Sequence, residues 1–298
     1  MDRANGLEKP FRGIMFMIIG AALLTANDSL LKWLTSGYPI GQIIFQRGLF
    51  VLIPISILVW RAGSLSVLIM QNYREHLLRS SLMIVGTFLF VTGLRFLPIA
   101  DAIAIAFAGP LFITVLATPM LGETVGWRRW LGVCIGFLGV LIICKPGGEV
   151  FQWASLFPLT ASLAGAFRDI LTRKMSVSET SESLLFYSTV AILLSGLGSF
   201  PFVEWHPVAT GDWLLFLFTG ILVGGAHFLM IEAFRNCEAA LVAPFKYTSV
   251  IWAFVFGYLF FGDIPEITTL FGGFIVILSG IYILQREKIL RKRGSELT

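Results

Sequence analysis

Ten times over, this chain writes a run of mostly apolar residues and closes it with a short polar loop. Each run is roughly 20 residues long, the length of helix that crosses ~30 Å of hydrocarbon. The runs fall approximately at 12–34, 40–60, 76–96, 100–120, 127–144, 152–172, 183–203, 212–234, 239–261 and 267–285. Hydrocarbon offers backbone N–H and C=O groups no partner, so only helices or closed barrels span it. Barrel strands would alternate and be half as long. The pattern therefore predicts an all-α integral membrane protein. Composition agrees: 56% of residues are hydrophobic and 13% charged, too few polar groups for a soluble exterior. The first run is too long for a signal-peptide core, and more follow it, so it counts as a span.

Basic residues set the expected orientation. With the N-terminus in the cytoplasm, sixteen of the 22 Lys and Arg fall in inside segments, among them Arg61, Arg74, Arg79, Arg128, Arg129, Arg173 and Lys174. Only Lys32, Arg95 and Lys145 fall outside, and Arg47, Arg168 and Lys246 lie within spans. The positive-inside rule then places both termini in the cytoplasm, with the C-terminal basic run as an anchor.

The strongest organisational signal is an internal repeat. The segment from Leu94, "LRFLPIADAIAIAFAGPLFITVLATPMLGETVGWRRWLGVCIGFLG", aligns without gaps on the segment from Phe234, at an offset of 140. Arg95 meets Arg235, Gly122 meets Gly262, Glu123 meets Asp263 and Gly132 meets Gly272. At an offset of 141 Asp28 meets Asp169, Lys32 meets Arg173 and Arg47 meets Ser188. Five spans per half is an odd number, so the second half enters the membrane from the opposite side. The expected architecture is two five-helix inverted repeats, 1–145 and 146–298 (the second with a basic cytoplasmic tail), around a central cavity. Secondary transporters are built this way, with the site near the midplane.

The two helix-ending segments "AGPLFITVLATPMLGETVGWRRWLGVCIGFLGVLI" and "TSVIWAFVFGYLFFGDIPEITTLFGGFIVILSGI" carry a resemblance to the drug/metabolite transporter superfamily, EamA type. It covers nearly the whole chain. The family's acidic position falls on Glu123 and, with a change of residue, on Asp263. Overall likeness is greatest to the YddG-type exporters of aromatic and other amino acids. The resemblance implies ten helices, a central cavity and export of small metabolites across a bacterial inner membrane.

Charged residues inside the spans supply the candidate chemistry, since each costs at least ~2.5 kcal/mol there and normally faces a cavity or a counter-charge. In "LLTANDSLLKWL" Asp28 and Lys32 share a helix face, acid before base. Asp169 and Arg173 repeat the spacing. These four are gate candidates, one pair at each mouth; two interfacial ion pairs with snorkelling cations satisfy the same spacing. Arg47, ~10 Å deep in the second span, is a candidate partner for Asp28 or for substrate. Lys246 is ~10 Å deep in "AALVAPFKYTSVIW", where Pro244 should kink the helix. Tyr187, His227, Tyr247 and Trp252 complete the cavity candidates, the aromatic ones as faces for an ammonium or a ring. Glu232 reads as an interfacial partner of Arg235. Glu123 and Asp263 read as caps of the helices that follow. Gly132, Gly136, Gly139, Gly272, Gly273 and Gly280 read as small faces for close packing. Pro110, Pro158 and Pro201 read as kinks.

Several classes are disfavoured. Cys134, Cys144 and Cys237 lack zinc or disulfide-framework spacing, and the histidines His76, His206 and His227 are scattered, so no metal and no cofactor is expected. There is no GxxxxGK[ST] loop, no catalytic constellation for an intramembrane enzyme and no charge ring or filter for a channel. The net charge of +4 flanks hydrophobic spans and does not point to nucleic acid. The expectation is a non-enzymatic exporter of amino acids by alternating access, with uptake or exchange of another metabolite or drug by the same fold as the alternative. Its partners are the lipid bilayer and a small-molecule substrate, and nothing in the sequence demands more than a monomer.

Overall fold

A computed structural model describes residues 10–122, 126–144, 153–262, 264 and 266–295. Among these residues all ten expected spans are helical. They are α1 (Pro10–Leu34), α2 (Ile40–Ala62), α3 (Tyr73–Phe96), α4 (Ile99–Ala106) with α5 (Ala108–Leu121), α6 (Trp127–Cys144), α7 (Leu156–Met175), α8 (Ser181–Leu197), α9 (Asp212–Asn236), α10 (Ala239–Val242) with α11 (Ser249–Phe261), and α12 (Ile267–Ser295). Segments Phe11–Leu34, Ile40–Ala62, Tyr73–Phe96, Asp101–Leu121 and Asp212–Asn236 are long and apolar enough to cross a membrane by themselves. Of the rest, α8 is shorter at 17 residues, and the 20 residues of α7 include Arg168, Asp169, Arg173 and Lys174. Large apolar side chains such as Ile57, Leu77, Phe218 and Phe274 face outward, which suits lipid and would be a liability in water.

The fourth and ninth spans are broken, and proline chemistry explains both. Pro110 has no N–H to give the carbonyl of Ala106, and its ring conflicts with that carbonyl; α4 ends at Ala106. Pro244 likewise has no N–H to give the carbonyl of Ala240, and the chain runs through a 3₁₀ turn, Ala243–Thr248, before α11 begins. Two other expected kinks are absent. Pro158 is the third residue of α7, where N–H groups have no intrahelical partner in any case. Pro201 lies beyond the end of α8. Pro54 and Pro119 lie inside α2 and α5, which continue through them.

The inverted repeat is visible in the packing. Helix α1 lies along α9 while its equivalent, α7, lies along α3; α2 packs on α8 and α6 on α12, each against its own equivalent. Small residues let these backbones close up. A Cβ on Gly196 would sit 2.7 Å from the backbone N of Phe45, and one on Gly220 2.8 Å from the carbonyl oxygen of Arg47. At the expected α6–α12 face, a Cβ on Gly136 would meet Ser279 Oγ at 2.9 Å. Gly122 and Gly262, equivalent positions, end α5 and α11 with φ of 69° and 67°, the left-handed cap that glycine adopts without strain. The caps expected from Glu123 and Asp263 lie outside the described residues.

Candidate functional site

The helix breaks open onto a central cavity of about 200 Å³. Its walls come from α1, α2, α3, α4, α5, α7, α9, the 3₁₀ turn and α11. Phe90, Phe107, Ile113 and Met230 supply apolar surface, and Asp28, Arg47, Arg168, Asp169, His227 and Lys246 supply the chemistry.

The second repeat presents a closed ionic cluster. Arg168 donates to Asp169 Oδ1 through Nε at 2.9 Å and Nη2 at 2.7 Å. Lys246 Nζ donates to Asp169 Oδ2, and its ammonium also lies 5.4 Å from the centre of the Phe234 ring. Asp169 is buried, and a buried carboxylate is tolerable only when its oxygens are satisfied in this way. Expectation and structure differ here. Asp169 is committed to Arg168 and Lys246, whereas Arg173 donates to the carbonyl of Phe234 at 3.1 Å. Asp169 and Arg173 thus do not form the same-face ion pair that their spacing allows, and Asp169 instead meets Lys246 across the cavity.

The first repeat presents the same position without a closed ion pair, Asp28 and Arg47 attracting one another only through space. Asn27 Nδ2 donates to Asp28 Oδ1 at 3.0 Å, just as the equivalent Arg168 donates to Asp169. Asp28 makes no ion pair among the described residues, and Asn27 Oδ1 has no hydrogen-bond partner there. Arg47 is 6% exposed and lines the same cavity, yet its guanidinium makes no hydrogen bond or ion pair among the described residues. Lys32 does not join Asp28. It lines a separate pocket with Trp33, Arg95 and Phe261, its ammonium 4.9 Å from the Phe261 ring centre. Asp28 thus belongs to the cavity, and the expected gate pair Asp28–Lys32 is divided between two places.

Of the other candidates, His227 lines the cavity. Tyr247 is buried behind it against Phe107. Trp252 faces outward and stacks on Phe256, ring centres 5.9 Å apart. Tyr187 is remote: its hydroxyl donates to the Leu68 carbonyl at 2.9 Å and its ring abuts His76. Aromatic type alone did not distinguish a cavity face from a lipid face. Glu232 is not the partner of Arg235. It accepts from Ser181 Oγ and from Asn236 Nδ2, and Arg235 donates to the carbonyl of Glu179 at 2.9 Å. Sequence reasoning assigned no role to Arg168. The signal was present in its alignment with Asn27, beside equivalent aspartates.

Arg79 was assigned to the cytoplasmic rim, but it is buried. Its guanidinium donates to Thr172 Oγ1 and to the Leu184 carbonyl, both at 2.8 Å, and to Ser188 Oγ, tying α3 to α7 and α8.

Residues 11–145 and again 152–285 match the EamA-like transporter family. Among similar proteins, an S-adenosylmethionine uptake transporter of Rickettsia felis is 27% identical over 98% of this chain and 99% of its own length. A riboflavin transporter of Rhizobium johnstonii is 29% identical over 96% of each, and the pseudopaline exporter CntI of Pseudomonas aeruginosa is 22% identical over 93% of this chain and 97% of its own. These relatives lend no support to the closer expectation of a YddG-type exporter. A solved structure 18% identical in sequence, covering 93% of this chain and 98% of its own, superposes with a TM-score of 0.70.

Proposed function

The chain belongs to the EamA-like transporter family, and on that footing we propose that its substrate is a small metabolite carrying an amino-acid head, a carboxylate and an amine on one carbon. The coarser statement needs no proposal: this is a multi-pass membrane protein and a secondary transporter of small metabolites. One observation carries the finer one. Asp28 and Arg47 are both more than nine-tenths buried, face one cavity and make no ion pair with each other or with any described residue. Burying two opposite charges without pairing them is costly. The cost is recovered when a ligand brings the complementary pair, its amine to Asp28 and its carboxylate to Arg47. Arginine suits the second task through its bidentate fork. The small volume and the flanking Phe90 and Phe107 leave room for a compact apolar or aromatic body.

Amino acids fit this description in head and in volume; S-adenosylmethionine, the substrate named for the Rickettsia felis relative, bears the same head on a body larger than the cavity of about 200 Å³. Riboflavin lacks that head. The amino-acid export expected from the sequence is retained as substrate class and direction. Alternating access carries the ligand across, driven by its gradient or by exchange. Counterflow in proteoliposomes tests the reading, with L-phenylalanine, S-adenosylmethionine and riboflavin as labelled probes. Transport of either amino-acid-headed probe, lost in Asp28→Asn and in Arg47→Gln, is expected. Transport of riboflavin alone, or of the others undiminished in both variants, rejects it.

A further inference from the structure

The repeat supplies its own picture of how the amine is held. At an offset of 140 the equivalent of Lys246 is Ala106. In the second half the Lys246 side chain reaches from the helix break to place an ammonium on Asp169. In the first half the break offers only a methyl group, Ala106 lines the cavity, and the equivalent carboxylate, Asp28, has no ammonium seated on it, the Arg47 guanidinium acting on it only through space. The register is fixed by the structure as well as by the alignment, because the next residues, Phe107 and Tyr247, touch one another. The flanking residues differ in the same sense. Arg168 braces Asp169, while Asn27 braces Asp28 with a neutral amide and leaves its own oxygen facing no donor.

From this we infer that Ala106 is the specificity-determining residue of the cavity: the space it leaves beside Asp28 admits the substrate's amine to the position that the Lys246 ammonium fills at Asp169. Lys246 on Asp169 is a tethered image of the bound ligand. A primary amine on a flexible carbon fits that space, whereas a ligand without an amine leaves Asp28 without that ammonium. The inference rests on the proposed amino-acid head and adds its seat and the residue that selects it.

Replacing Ala106 tests it. Ala106→Lys should seat a tethered ammonium on Asp28, raise the unfolding temperature, and lower counterflow of L-phenylalanine and S-adenosylmethionine at least tenfold. Ala106→Met, of similar length without charge, should inhibit far less. The added stability should vanish in Ala106→Lys/Asp28→Asn, a readout that mere crowding would not move. If Ala106→Lys fails to fold, Ala106→Cys in a background free of the native cysteines can be modified after folding. The aminoethyl methanethiosulfonate adduct should block transport and the propyl adduct should not. Equal inhibition by charged and uncharged groups, or none by either, overturns the inference. If Asp28→Asn abolishes transport while the charged substitutions leave it intact, only the seat is wrong; if Asp28→Asn transports normally, the amino-acid-head reading has failed as well.

Discussion

Phe107 and Tyr247 meet edge to face, their ring centres 5.3 Å apart and their planes at 88°, and they are equivalent residues of the two repeats. Two positions related by a two-fold operation can touch only where the axis passes between them. The axis therefore runs through the breaks of the fourth and ninth spans, the discontinuous helices on which transporters of this architecture build their sites. Ala106 and Lys246, one residue before each ring, face the cavity for the same reason.

The ring contact should be measurable as a coupling. In a double-mutant cycle of Phe107→Ala and Tyr247→Ala, with unfolding followed by denaturant titration, each single change should destabilise by about 3–5 kcal/mol. The pair should fall short of additivity by ~0.5–1.5 kcal/mol, the worth of an edge-to-face contact. Strict additivity means that the rings do not touch and that the axis lies elsewhere.

Orientation is a second prediction. Ser36 and Ser178 occupy equivalent loops and both are exposed. If the basic residues set the topology, an impermeant thiol reagent on intact cells should label Ser36→Cys and spare Ser178→Cys, in a background without Cys134, Cys144 and Cys237. Labelling of Ser178→Cys alone reverses the topology; labelling of both or neither removes the sidedness assigned to the loops.

The fold was largely legible in the sequence because its determinants are one-dimensional: apolar length, basic asymmetry, a constant offset and proline position. The breaks at Ala106 and Val242 follow from Pro110 and Pro244. The site was legible in its ingredients and not in its pairings. Asp28, Arg47 and Lys246 stand out as charges inside spans, and all three line the cavity. Which charge meets which depends on helix rotation, and spacing says nothing about contacts between helices. Hence Asp169 pairs with its neighbour Arg168 and with Lys246, 77 residues away, and not with Arg173 one turn along. Trp252 and Tyr187 failed as candidates because aromatic residues serve lipid, packing and ligand alike.

A pH-dependent contact lies outside the membrane-spanning segments. Glu179, in the loop between α7 and α8, accepts from the backbone N–H groups of Gln71 and Asn72 at 2.8 and 2.9 Å, and its other oxygen lies 3.2 Å from His76 Nε2. Burial works to raise its pKa, but the interactions with His76, Asn72 and Gln71 outweigh it and hold the carboxyl below its ordinary 4.5. A carboxylate depressed on folding contributes stability in full above its unfolded pKa and loses it as pH falls through the folded value. Glu179→Gln should therefore unfold at a lower temperature than the parent at pH 7, and the gap should close progressively below pH 4.5. A gap that persists unchanged at low pH shows that the charge of Glu179 does not hold the loops.

Arg79 and Arg47 sit at crossed positions of the two repeats, and only Arg79 ties its helices together. Arg47 corresponds to Ser188 at an offset of 141, and Arg79 to Thr219 at 140. In one crevice the arginine comes from α3 and the hydroxyl from α8; in the other the arginine comes from α2 and the hydroxyl from α9. Only in the first does the arginine bridge the helices; α2 and α9 close instead through Gly220 and Gly224, where an added Cβ would lie 2.8 Å from the Arg47 carbonyl oxygen and 2.7 Å from Pro54 Cγ. Arg79 donates to Thr172, Leu184 and Ser188, whereas Thr219 donates to the carbonyl of Phe216 in its own helix at 2.9 Å and Arg47 is left facing the cavity. A hydrogen bond to a charged group contributes about 1.5–3 kcal/mol, so Arg79→Gln should lower stability by roughly that amount or more, and Arg47→Gln by much less. Loosening around the bridge can be read independently at Leu185, 3% exposed on α8 and next to the Leu184 carbonyl that Arg79 holds. A cysteine placed there should react several-fold faster with a soluble reagent in inverted vesicles when Arg79 is replaced, and at an unchanged rate when Arg47 is replaced. Transport should suffer in both variants, through a loosened barrier in the first and a lost carboxylate partner in the second. If Arg79→Gln is as stable as Arg47→Gln and the Leu185 position reacts no faster, Arg79 is a packed arginine of the interior and does not tie α3 to α7 and α8.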